Sequence, residues 1–81
     1  MTKLTDEEKK LISFWLHCAA DDHEAELKRQ EKKNGRNEHA RAMNAQLVRL
    51  QLRFNPKSLC GPLKLMDGTT VKPGDIEPIG E

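Results

Sequence analysis

From its first residue to Asn34 the chain contains neither glycine nor proline, and Asn34-Gly35 then breaks the run. A stretch that long without a backbone breaker predicts one helix over about residues 6–33. Thr5-Asp6-Glu7-Glu8 supplies its start. The Thr5 hydroxyl can accept from the backbone N–H of Glu8, and the Glu8 carboxylate can reach back to the N–H of Thr5. Acidic residues in the first turn and Lys32 and Lys33 in the last complement the helix dipole, and Gly35 can take the left-handed conformation that ends a helix. About 28 residues at 1.5 Å each give a rod of about 42 Å.

Two neighbouring rows of this helix hold most of its apolar residues: Leu11, Trp15, Cys18 and Ala25, then Ile12, Leu16, Ala19 and Leu27. The row Lys10, Ser13, His17, Asp21, Glu24, Lys28, Glu31 is polar and is expected to face water. Asp22 and His23 interrupt the apolar rows. They read either as boundary positions or as a polar layer that fixes the register of an oligomer.

Asn37 can cap a second helix over about 38–54, which Asn55-Pro56 ends because proline disfavours a helical residue before it. Ala40, Met43, Leu47, Leu50 and Phe54 fall at alternating spacings of three and four, an expected packing seam flanked by Ala45, Val48 and Leu52. A connection this short makes the helices antiparallel. Reflection about Asn34-Gly35 sets Phe54 beside Leu16, Leu47 beside His23 and Met43 beside Leu27, and gathers Phe14, Trp15 and Phe54 at one end. The first helix then overhangs the second by about ten residues, and either another subunit or the C-terminal segment must cover it. After Cys60-Gly61-Pro62, the run Leu63 to Lys72 carries Asp67-Gly68 between short alternating stretches, a β-hairpin signal. An isolated hairpin is marginal in water, so it must pack on the helices or on another copy. The fold class expected is thus mainly α: an antiparallel two-helix hairpin (1–56) followed by a β-hairpin and acidic tail (57–81), one domain overall, assembled as a homo-oligomer.

Size supports the last expectation. A chain of 81 residues buries only about 60 to 65 per cent of its unfolded surface, and 36% hydrophobic content makes a thin core. The net charge of +1 conceals an acidic–basic–acidic order: residues 1–35 carry −1, residues 36–66 carry +5, and residues 67–81 carry −3. No secretory leader is recognisable at Met1-Thr-Lys-Leu-Thr, and no apolar run approaches the ~18 residues that span a bilayer. A cytoplasmic protein with reduced Cys18 and Cys60 is expected.

Catalytic and metal motifs are lacking. His23-Glu24-Ala25-Glu26-Leu27 begins like a zinc-protease helix but has Leu27 where the second histidine belongs, and no His or Cys pair has the i,i+4 spacing that chelates. Cys60 has no histidine near it in sequence, and there is no glycine-rich phosphate loop. The chain is expected to be no enzyme and to use no cofactor.

The strongest functional signal lies on the second helix. Arg49, Arg53 and Lys57 follow at i,i+4, with Arg41 two turns earlier on the same row. Arginine forks bind phosphate or carboxylate through paired hydrogen bonds. The partner could be a nucleic-acid backbone, a phosphate-bearing small molecule, or an acidic protein surface, including this chain's own first helix and tail. For nucleic acid, a pI near 7.8 is low.

The hairpin pattern, with Gly35-Arg36-Asn37-Glu38-His39-Ala40-Arg41-Ala42-Met43 opening the second helix, resembles small phage anti-defence proteins of the hairpin family that sequesters cyclic-nucleotide immune signals. About twenty residues carry the resemblance. It implies a class and no binding residues: a phage-encoded, oligomeric inhibitor that binds and blocks, taking up a nucleotide-like ligand or occupying a host protein, with arginines at subunit junctions meeting phosphate. The candidate contacts Arg41, Arg49, Arg53 and Lys57 come from their own helical spacing. The alternative is a small DNA- or RNA-binding regulator using the same stripe.

Overall fold

The structure is a computed structural model that describes residues 3–78. Helix α1 runs Asp6–Asn34 and helix α2 runs Glu38–Phe54, joined by Gly35–Asn37. Both ends of α1 form as the chemistry dictates. Thr5 N donates to Glu8 Oε1 at 2.9 Å, and Glu8 N donates to Thr5 Oγ1 at 3.1 Å. Gly35 adopts φ +85°, which a side chain would strain, and its N–H donates to Glu31 O. Asn37 Oδ1 accepts from Ala40 N at 3.1 Å and opens α2.

Strands β1 (Leu63–Lys64) and β2 (Thr70–Val71) pair antiparallel, with Leu63 opposite Val71 and Lys64 opposite Thr70. Their connection closes through Gly68 N to Leu65 O at 3.1 Å and Leu65 N to Thr69 O at 2.8 Å. Gly68 supplies the φ of +90° that this turn requires. Short 3₁₀ turns at Pro56–Ser58 and Pro73–Asp75 flank the hairpin. The molecule is mainly helical, a two-helix hairpin with a small C-terminal sheet. Glu81 of the acidic tail lies outside the described residues.

The helix faces differ from the expected ones. On α1 the buried seam is Ser13, Ala20 and Leu27, at seven-residue spacing. Leu27 is buried as its apolar row predicts, but Ser13 comes from the row expected to be wet, of which Glu24 and Glu31 are also partly buried. The row Leu11, Trp15, Cys18, Ala25 instead points away from α2. Leu11 is 57% and Trp15 64% exposed. The reason lies in the residues that meet. Ser13 Oγ donates to Gln51 O at 3.0 Å, while Asn44 Nδ2 donates to Ala20 O at 3.0 Å and lies 3.2 Å from His23 Nδ1. Small side chains on α1 let polar side chains of α2 reach across and satisfy themselves, so the interhelical seam is polar.

This seam also corrects the expected register. Reflection about the loop would set Gln51 beside residue 19 and Asn44 beside residue 26. Gln51 bonds to residue 13, and Asn44 bonds to residue 20 and lies against His23. These contacts are displaced by three to six residues, close to one turn or more.

The apolar core lies elsewhere, between α2 and the C-terminal segment. Ala45, Leu52, Leu65 and Val71 are buried together, with Val48, Leu59 and Ile76 packed against them. On α2, the flanking row therefore carries the core. Met43 and Leu50 of the expected seam are 49% and 37% exposed, and Leu47 and Phe54 are half-buried.

Candidate binding site

The four basic residues of the expected stripe have different fates. Arg41 is tied at the turn between the helices. Its Nε donates to Glu31 Oε2 at 2.8 Å and its Nη2 to Glu31 Oε1 at 2.7 Å, a fork-on-carboxylate pair; Nη1 donates to Met66 O at 3.3 Å. Glu31 Oε2 also accepts from the backbone N–H of Asn37 at 2.8 Å. The Glu31 side chain is only 11% exposed. The Arg41 fork first, and the Asn37 N–H after it, hold its carboxyl at a pKa of about 2, far below its ordinary 4.5. Arg41 thus joins α1, α2 and the β-hairpin turn.

Arg49 and Arg53 reach the C-terminal segment. Arg49 Nη2 donates to Thr69 Oγ1 at 2.6 Å and lies 4.0 Å from Asp67 Oδ2. Thr69 donates to Asp67 Oδ1 through its hydroxyl and its backbone N–H, at 2.6 and 3.0 Å, and these bonds hold the Asp67 carboxyl below the usual range. Arg53 Nε donates to Glu77 O at 3.2 Å. The acidic segment therefore does meet the basic helix. Lys57 is exposed at the first 3₁₀ turn.

Between α2 and this segment lies a groove of about 420 Å³. Arg49 and Arg53 form one rim, Asp75 and Glu77 line the other, and Leu52, Val71 and Ile76 supply apolar floor. The stripe is thus divided: Arg49 and Arg53 share the groove, Arg41 is held at the interhelical corner, and Lys57 stands outside. A group with an apolar body and an anionic end matches the groove, provided it displaces the Thr69 and Glu77 contacts.

Apolar side chains also stand exposed on both helices. Phe14 and Trp15 form an edge-to-face pair with centroids 6.0 Å apart and planes at 71°, and both are more than half exposed. Leu11 continues this surface on α1, while Met43, Leu47, Leu50 and Phe54 form a ridge on α2. Apolar periodicity alone assigns Leu11, Trp15, Met43 and Leu50 to the core, whereas all four are exposed.

The remaining reactive groups are dispersed. Cys18 is half-buried and Cys60 exposed, both free, and His17 Nε2 lies 3.3 Å from Asp21 Oδ2. Among the described residues no three His, Cys, Asp or Glu side chains gather as a metal site, and no helix is long and apolar enough to cross a membrane. No protein-family model, curated protein or solved structure matches the chain.

Proposed function

We propose that the protein is a small non-enzymatic binding protein that works as a homo-oligomer and inhibits by occupying a partner protein through the open face of α2. The observation that carries this reading is the ridge Met43, Leu47, Leu50, Phe54. It is apolar, follows i, i+4, i+7, i+11 spacing, and keeps Met43 and Leu50 exposed while the core forms on another side of the same helix. A helix presents anchors to a protein groove at this spacing, and methionine adapts well to such contacts. An anti-defence role in a phage, implied by the sequence resemblance, is a setting in which such a blocker acts. The test is affinity capture from host cells with the wild-type chain and with Met43→Glu/Leu50→Glu. A partner retained by the first and lost by the second supports the reading. Equal recovery by both overturns it.

A second reading, sequestration of a phosphate-bearing ligand, is favoured by the paired Arg49 and Arg53 over an apolar floor. Calorimetric titration with cyclic nucleotides tests it: binding that Arg53→Ala weakens supports it, and no heat for the wild type removes it. A nucleic-acid regulator draws less support, because three of the four stripe cations already meet partners within the chain. Retardation at two salt concentrations would reveal such binding as a steep fall with salt.

A further inference from the structure

We infer that a second copy of this chain docks on the side of α1 turned away from α2, antiparallel to it, with Trp15 packed against Cys18 of the second copy. This rests on the reading of the chain as an oligomeric binding protein, and it assigns to assembly a surface distinct from the α2 ridge. At 100° per residue, Leu11, Trp15, Cys18 and Ala25 lie roughly opposite the buried Ser13, Ala20 and Leu27. Their spacings of four, three and seven are those of the apolar seam of a coiled coil. In the folded chain Leu11 and Trp15 are more than half exposed and Ala25 is exposed, while Cys18 is half-buried.

The area agrees with a missing partner. The chain exposes 6079 Å², whereas a folded monomer of its 9.2 kDa exposes about 4,900 Å². The excess, about 1,200 Å² over the whole chain and shared with the α2 ridge, exceeds the roughly 800 Å² that one partner buries in an interface of ordinary size.

Charge selects a copy of the same chain and fixes its direction. Glu8, Asp22 and Arg29 occupy the other seam positions. A parallel pair in register would stack each against its own copy, like charge on like, at three levels. Antiparallel pairing sets the acidic first turn, Asp6 to Glu8, beside Lys28 and Arg29 of the second copy, whose pairs with Glu24 and Glu26 of their own helix are exposed and weak, and symmetry makes this match twice. Centring the axis between Trp15 and Cys18 packs these two against each other twice at the middle, faces Ile12 with Ala19 and places Glu7 near Lys28 of the second copy. Asp22 then lies beside Leu11 of the second copy, with its exposed carboxylate turned outward to water. His23 is not part of this surface, because it turns toward Asn44.

Sedimentation equilibrium of the full chain decides the matter. The wild type is expected at twice 9.2 kDa. Trp15→Glu should raise the dimer dissociation constant at least about thirtyfold while keeping the helical circular dichroism, and Met43→Glu/Leu50→Glu should leave the dimer intact. Glu7→Lys and Lys28→Glu should each weaken the dimer and together restore it. A 9.2 kDa wild type at tens of micromolar, a Trp15→Glu dimer of unchanged affinity, or no restoration by the paired reversal would each overturn the inference. Loss of the dimer with capture of a target intact leaves the α2 reading standing, and the converse leaves this one standing.

Discussion

Asn44 of α2 and Ala20 of α1 are joined by a hydrogen bond of 3.0 Å from a fully buried side-chain amide to a helix carbonyl, in the middle of the seam between the two helices. The smallness of Ala20 permits the approach, and the bond makes burial of a polar side chain tolerable. Asn44→Ala loses the bonds to Ala20 and His23 and should cost about 1–3 kcal/mol in urea unfolding. An Asn44→Ala variant as stable as the wild type would show that these bonds do not stabilise the fold.

Core and open face should separate cleanly in a substitution series. Leu52→Ala or Leu65→Ala removes a buried side chain from the cluster joining α2 to the C-terminal segment and should cost about 2–5 kcal/mol. Leu50→Ala, only two positions from Leu52, should cost under about 1 kcal/mol in the isolated monomer. Thermal melting of the three variants makes the comparison.

Glu31 predicts an acid limb. Its folded-state pKa of about 2 lies below its ordinary 4.5, so its contribution is fully present above 4.5 and is lost as pH falls from there toward 2. Urea unfolding at pH 6 and pH 3 should show a loss on acidification that is smaller in Glu31→Gln. Equal slopes for the two proteins would mean that Arg41 does not stabilise the folded carboxylate.

Arg41 and Arg49 should respond differently to truncation. Arg41→Ala leaves the Glu31 carboxylate, 11% exposed, without its fork and should lower the melting temperature. Arg49→Ala removes one bond at an exposed groove rim and should leave melting nearly unchanged. Scanning calorimetry at neutral pH checks the pair.

Much of this architecture is legible in the residues. Thr5 and Glu8, Asn34-Gly35, Asn37 and Asn55-Pro56 mark both helices to within a residue because caps and breakers act locally. Asp67-Gly68 marks the hairpin for the same reason. The choice of faces is not local. Apolar periodicity on α1 points to Leu11 and Trp15, yet Ser13 and Ala20 are buried because Gln51 and Asn44, forty or fewer residues away, complete their hydrogen bonding. The seven-residue recurrence of Ser13, Ala20 and Leu27, matched by Asn44 and Gln51, was the available signal, and a count of hydrophobic residues passes over it. The arginine spacing does identify Arg49 and Arg53 as neighbours. It could not assign Arg41 to Glu31, a pairing made by the turn of the chain.

Met43 and Leu50 stand exposed on α2, outside the core that holds the fold. Thermal unfolding of Met43→Glu/Leu50→Glu tests this most directly. A cooperative transition within a few degrees of the wild type is the predicted result, whereas loss of cooperative unfolding would place these residues in the core and contradict it.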